Sequence, residues 1–446
     1  MMRWLYCLAM WLAQPLLRRR LARRGAQEPG YLEAVQERFG HYTTAAPAPD
    51  GNTLWLHAVS LGETRAAAVL VARLRQRLPA MRLLLTHGTA TGRAEGARLL
   101  RDGDLQVWQP WDTPANVQRF LDHFQPRIGI LMETEIWPNL VHACQRRGVP
   151  LVLANARLSE KSLRWAQRLA WLARPAYRDL SAIWAQTQTD AARFAELGVK
   201  VQGVFGNIKF DATPNADQLA RGRAWHHKIG RPVVLLASSR AGEEAALLQI
   251  LESFRAPAPV DSSRGAIYSI ANEVQWLIVP RHPQRFDAVA ALIKAHGFRV
   301  SRRSDWGDAV PAAPGPASPA IWLGDSLGEM ALYYGLADLA LLGGSFEPLG
   351  GQNLIEAAAC GCPLLMGPHT FNFAEAAELA QASGAALRVG SLADAVANAC
   401  SLTRNADRLQ AARQAAIAFA ETHRGATERL TQGLEQLLAG DGSRPN

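Results

Sequence analysis

The sequence predicts two α/β domains of Rossmann-like type, on three observations. Short apolar runs alternate with helical stretches along most of the chain, the pattern of parallel strands with crossover helices. That alternation breaks once, around Asp211–Gly230, where Pro214 and a polar, basic stretch intervene, and then resumes. The 446 residues also exceed one domain of about 100–200 residues.

In order, LWLHAV, RLLLT, RIGILM, PLVLAN and AIWAQ read as strands of the first domain. Helical stretches stand between them, including a long one from Arg157 to about Leu180. After the break, RPVVLLASS, WLIVP, FRVS, AIWLG, LALLGG and CPLLMG continue the rhythm. Residues 256–273 and 306–319 are rich in Pro, Ser and Ala without periodicity and read as surface loops. Ligands of open α/β sheets collect outside the carboxyl ends of the strands, so the site is expected in a cleft that the two domains face.

Ahead of the first domain, residues 4–17 read WLYCLAMWLAQPLL, followed by Arg18-Arg19-Arg20 and Arg23-Arg24. As a helix this run reaches about 21 Å, short of the roughly 30 Å hydrocarbon core of a bilayer. The larger charge cluster follows the apolar run, the reverse of a signal peptide. The segment reads as an interfacial anchor whose arginines meet anionic headgroups, with a buried first-domain helix as the alternative.

With 48% hydrophobic and 20% charged residues, disordered, collagenous and polytopic membrane classes are excluded. The net charge of +9 is uneven: residues 1–40 hold seven Arg and three Glu. Basicity points to anionic partners, but no nucleic-acid-binding motif accompanies it. Five cysteines without a CxxC pair argue against a disulfide framework or a zinc site. Asp102-Gly103-Asp104 precedes an apolar run and reads as a turn rather than a metal site. The chain has no GxxxxGK[ST] and no GxGxxG opening a strand–helix unit, so ATP phosphoryl transfer and nicotinamide chemistry lose support.

Six segments carry chemistry. SLGET (60–64) puts Glu63 in the first helical turn after a strand, where a carboxylate can take a proton from an attacking hydroxyl; Ser60-x-x-Glu63 is equally a capping box. METEIWPN (132–139) ends a strand with Glu133 and Glu135 two apart, facing one way if extended. GNIKFD (206–211) holds Lys209, one of five lysines, suited to offset charge on a leaving group or simply solvated. VPRHP (279–283) sets Arg281 and His282 at a strand end, and Arg suits phosphate. GDSLGEM (324–330) is a glycine-flanked turn. In residues 343–368, glycine pairs precede a helix start at Asn353, where backbone N–H groups favour a phosphate and Glu356 can accept from ribose hydroxyls. Asn353-x-x-Glu356 is also a capping box.

Together HAVSLGE, METEIWPNL, LVLANARLSEKS, GNIKFD, VPRHPQRF, GDSLGEM, GGSFEPLGGQNLIEAAA and MGPHTFNF resemble the Kdo (3-deoxy-D-manno-octulosonic acid) transferase family of lipopolysaccharide synthesis, over nearly the whole chain. The resemblance implies a GT-B glycosyltransferase fold with an N-terminal membrane-anchoring helix. Residues 1–30 would be the anchor and basic flank, 31–215 the acceptor domain and 216–446 the CMP-Kdo donor domain. It implies inverting, metal-independent transfer of Kdo from CMP-Kdo to the tetraacylated lipid A precursor at the cytoplasmic face of the inner membrane. No cofactor, nucleic acid or obligate protein partner is implied. Glu63 would be the base, with Glu133 and Lys209 stabilising the transition state. CMP would be held by Pro280 and Arg281, by Leu327, Gly328 and Glu329, and by Asn353, Leu354, Ile355 and Glu356. Gln352 stands where many relatives carry His, and Leu327 where many carry Met. A nucleotide-sugar epimerase or hydrolase on the same fold is the competing enzyme class, and a binding-only module the non-catalytic one.

Overall fold

The computed structural model describes residues 3–48, 51–254, 273–311 and 320–440. The 256–273 loop, except Glu273, and residues 312–319 of the second loop lie outside them. Two compact units are present: residues 1–212 with 424–446, and residues 213–423. The closing helix, Ala426–Gly440, thus groups with the first unit although the sequence reading assigned it to the second. Its Leu430 and Leu434 are fully buried in the first unit's core, and Asp211 accepts from the N–H groups of Gly425 and Thr427 at 2.5 Å each.

In the first unit, seven parallel strands are β1 (Thr53–His57), β2 (Arg82–His87), β3 (Leu105–Trp108), β4 (Ile128–Met132), β5 (Leu151–Ala156), β6 (Ala182–Ala185) and β7 (Gly203–Val204). Their order is β3-β2-β1-β4-β5-β6-β7. Chain direction across the sheet therefore reverses between β1 and β4, which pair in register from Leu54↔Ile128 to His57↔Leu131. β1, β4 and β5 are buried at every position, as parallel strands covered on both faces must be. Trp55 fills the space between β1 and the helix Pro114–Phe124 by packing on Phe120, and donates Nε1–H to Thr86 at 2.8 Å. Each such burial contributes about 1.5–3 kcal/mol.

The second unit repeats the plan with β8 (Val233–Ser239), β9 (Gln275–Pro280), β10 (Arg299–Arg302), β11 (Ala320–Leu323), β12 (Leu339–Leu342), β13 (Leu364–Met366) and β14 (Ala386–Arg388). All pair parallel, in the order β10-β11-β9-β8-β12-β13-β14, with β8 flanked by β9 and β12. β12 and β8 approach closely: a Cβ on Gly343 would stand 2.4 Å from the Ser238 carbonyl oxygen.

β3, β7 and β14 carry too little apolar pattern to read from the sequence, being two to four residues long with exposed or half-buried positions. The long helix expected from Arg157 is two helices, Glu160–Arg168 and Ala170–Arg178, broken at Leu169 (ψ 35°).

The N-terminal segment requires a correction. Residues Arg3–Gln27 form one helix containing Pro15, with Leu21 and Gly25 buried. Among the described residues no helix is long and apolar enough to cross a membrane. The reason is compositional: extending the apolar run to helix length takes in Arg18, Arg19, Arg20, Arg23 and Arg24. The helix is instead tied to the first unit, Tyr6 donating to Asp112 at 3.0 Å and Cys7 to Asn139 at 3.2 Å. The expected membrane-anchoring helix is therefore overturned, and with it the placement at the cytoplasmic face of the inner membrane.

Candidate active site

In the first unit the candidate residues gather at the carboxyl ends of β1 and β4, the switch point where an open α/β sheet binds its ligands. After β1 the chain turns through Ser60, the N-cap of the helix Leu61–Arg77. Ser60 Oγ accepts from the Glu63 N–H at 3.4 Å and donates to Glu63 Oε1 at 2.9 Å, while Glu63 Oε2 accepts from the Val59 N–H at 2.9 Å. The capping and functional readings of this motif are compatible, because capping is what fixes the carboxylate. Burial pushes the Glu63 carboxyl up to about 7; the Val59 N–H and Ser60 oppose this, and Glu133 and Glu135 add to it. A group with that pKa exchanges protons near neutrality.

Glu133 follows β4 directly, but the segment is not extended. Its φ is +60°, the left-handed region, so Glu133 and Glu135 do not lie as alternate residues of a strand. Glu133 N–H donates to Ala154 O at 3.0 Å and Glu133 O accepts from Arg157 N–H at 3.1 Å, which locks the turn onto β5. Its Oε1 meets Lys209 Nζ at 2.8 Å, a pair whose side chains are 14% and 27% exposed. Burial raises the Glu135 carboxyl as well. Lys209 sits in a single helical turn, Ile208–Asp211, capped by Asn207 Oδ1 on the Lys209 N–H at 3.0 Å. Glu63, Glu133 and Lys209 thus come from three distant segments to one end of one sheet.

In the second unit Pro280 is buried at the end of β9, and the Arg281 N–H donates to Ser239 O at 3.0 Å. Burial, then the nearby Arg240, Arg281 and Arg285, hold the His282 imidazole below its usual range, a mark of a cationic neighbourhood. Burial raises the Tyr334 hydroxyl, with Glu356 adding to this and Arg281 opposing it. Asn353 Oδ1 caps its helix on the Ile355 N–H at 3.1 Å; Leu354 and Ile355 turn into the core, leaving only their backbones for a ligand. Leu327 is 74% exposed beside Gly328 (φ +77°), and Glu329 is held by Arg303 at 2.9 Å and Ser326 at 2.5 Å.

The first glycine pair of the loop is engaged by a side chain of the same unit. Glu243, 1% exposed at the start of the helix Glu243–Ser253, accepts from the N–H groups of Gly344 (2.8 Å), Arg240 (2.9 Å) and Phe346 (3.2 Å). Two N–H groups that could face a phosphate are thereby occupied by a carboxylate. Next to it Glu244 accepts from Ser239 Oγ at 2.7 Å and from Arg285 at 2.7 and 3.0 Å. This pair joins the ends of β8, β9 and β12, and motif reading missed it: two adjacent glutamates opening a helix look like ordinary first-turn acids.

No group of three or more His, Cys, Asp or Glu side chains that could hold a metal occurs among the described residues. Asp102-Gly103-Asp104 is a turn, with Asp104 ion-paired to Arg75 and accepting from Leu83 N–H at 2.8 Å.

Two doubly wound, all-parallel units in one chain make a GT-B-like fold, and UDP-GlcNAc 2-epimerase from Neisseria meningitidis is similar in fold, with a TM-score of 0.55 at 13% identity over 86% of this chain and 100% of that one. Residues 33–212 match the family model described as 3-deoxy-D-manno-octulosonic-acid transferase (kdotransferase). The chain is 45% identical to 3-deoxy-D-manno-octulosonic acid transferase of Bordetella pertussis, over 98% of this chain and 99% of the relative. It is 33% identical to the Haemophilus influenzae transferase of the same name, with the same coverage. The chain belongs to the Kdo transferase family and is a glycosyltransferase.

Proposed function

We propose that this transferase takes Kdo from CMP-Kdo and joins it, with inversion and without a metal, to a hydroxyl of the tetraacylated lipid A precursor. Glu63 removes the proton of the attacking hydroxyl. The new C–O bond forms at the anomeric carbon as the bond to the CMP phosphate oxygen breaks, and that oxygen keeps the electron pair. Lys209, held by Glu133, lowers the barrier by offsetting developing negative charge. Arg281, the 327–329 turn and the helix start at Asn353–Glu356 hold CMP. The observation that carries this reading is the neutral-range carboxyl of Glu63 at the same strand ends as the Lys209–Glu133 pair.

The test is transfer of labelled Kdo from CMP-Kdo to the tetraacylated precursor with EDTA present, followed by product mass. A gain in Kdo steps that EDTA leaves unchanged supports the reading and counts the transfers. CMP binding without any gain would reject this acceptor, and absence of both would reject the donor.

A further inference from the structure

Asn155 stands next to the proposed chemistry without taking part in it. It lies near the end of β5, one step beyond the Met132↔Ala154 pair, and so is level with Glu133 on the neighbouring strand. Both residues are left-handed, Asn155 at φ +52° and Glu133 at +60°, and the β5–β6 register shifts between Leu153 and Ala156. Two adjacent parallel strands thus bend out of the ladder at the same level.

Its neighbours in the chain hold Glu133, and its own hydrogen bonds hold the turn that carries Lys209. The Glu133 backbone is clamped by Ala154 O and Arg157 N–H, on either side of Asn155. Asn155 Oδ1 accepts from the Ile208 N–H at 3.1 Å, which also identifies that atom as the oxygen. Its carbonyl accepts from Gln186 Nε2 at 2.9 Å, Gln186 Oε1 accepts from Asn207 Nδ2 at 3.1 Å, and Asn207 Oδ1 accepts from Lys209 N–H at 3.0 Å. Residues 207, 208 and 209 are all held by this network.

The arrangement is not the most stable one for such a place. Asn155 is fully buried, and its Nδ2 is without a hydrogen-bond partner, although a buried donor is costly to leave unmade. Glycine would adopt the same φ without that cost. What glycine lacks is the oxygen that meets Ile208.

Resting on the proposed roles of Glu133 and Lys209, we infer that Asn155 is a positioning residue that sets the Lys209 ammonium against the Glu133 carboxylate. It acts through Lys209 and touches no substrate. Asn155→Gly keeps the left-handed backbone and removes only the tether. It is expected to lower kcat about 10- to 100-fold, the scale of an ångström-size misplacement, while KM for CMP-Kdo stays within about twofold.

The deciding readout is a double-mutant cycle. In a Lys209→Ala background, Asn155→Gly should lower kcat by no more than about threefold further, because coupled residues are non-additive. Equal losses in both backgrounds would mean a general structural role and overturn the inference, as would an unchanged kcat in the single variant. Gln186→Met, which cuts the second tether, should show the same non-additivity and serves if the glycine variant does not fold. If Lys209→Ala and Glu133→Gln both retain full transfer, the catalytic assignment itself fails and this inference with it. If they are inactive while Asn155→Gly and Gln186→Met are normal, only the inference fails.

Discussion

Lys209 Nζ lies 2.8 Å from Glu133 Oε1, although 76 residues separate them in the chain. The pair fixes the direction of each side chain. Without it the Glu133 carboxylate would lose this cation in a mostly buried place. Lys209→Ala should therefore lower kcat by about 100- to 1000-fold, the usual cost of one lost electrostatic stabiliser, with CMP affinity nearly unchanged. Steady-state kinetics and CMP calorimetry on one preparation check this. A large loss of CMP affinity instead would assign Lys209 to ground-state binding.

The pH dependence of transfer follows from Glu63. A base must be ionised to act, and burial raises this carboxyl to about 7. Below that value the group is protonated and cannot take the hydroxyl proton, so kcat/KM should rise with pH and level off above about 7. Ser60→Ala removes a hydrogen bond that favours the ionised form, and should move the limb to higher pH. An acid limb that stays in place in Glu63→Gln would show that another group is titrating.

Stability should respond with the opposite sign. The folded pKa of Glu63 lies above its ordinary value, so the folded protein holds the proton longer than the unfolded chain does. Stability from this group is full below about 4.5, falls as pH rises through about 7, and is constant above. Glu63→Gln removes that loss. Relative to wild type the variant should gain on the order of 1–3 kcal/mol between pH 4.5 and 8, while transfer is abolished. Urea denaturation at the two pH values tests the linkage, and a pH-independent difference would contradict it.

The strands that were legible in the sequence are those that parallel packing makes continuous apolar runs, such as β5 with LVLANA buried throughout. β7, only Gly203–Val204, has no such run, and the return of Ala426–Gly440 to the first unit depends on contacts hundreds of residues apart. Glu63 and Lys209 stood out because a carboxylate after a strand and a rare lysine are local signals. Glu133 was found but its geometry was not, since its left-handed turn is enforced by Ala154 on the next strand and Arg157 just past its end. Asn155 and Glu243 gave no signal, because their importance lies in backbone groups that they reach only after folding. The apolar N-terminal run misled for a related reason: hydropathy does not reveal that Tyr6 has Asp112 to bind.

Glu243 carries the last prediction. Its carboxylate joins the end of β8 to the loop after β12 by accepting three backbone N–H groups, and it is almost wholly buried. Glu243→Ala would strand those donors away from water, a loss of at least about 2 kcal/mol. Glu243→Gln is the sharper probe, since it keeps the volume but replaces one accepting oxygen with an amide that must face an N–H. Both variants should release the 344–346 loop from Arg240 and weaken CMP binding, because the end of β8 and the loop after β12 would lose the carboxylate that ties them. The Lys209–Glu133 pair belongs to the first unit, so kcat at saturating CMP-Kdo should fall far less than kcat/KM. Calorimetric CMP affinity and the split between kcat and KM decide it. A Glu243→Gln protein with wild-type CMP affinity would mean that the loop holds its shape without the carboxylate, leaving Glu243 a contributor to stability alone.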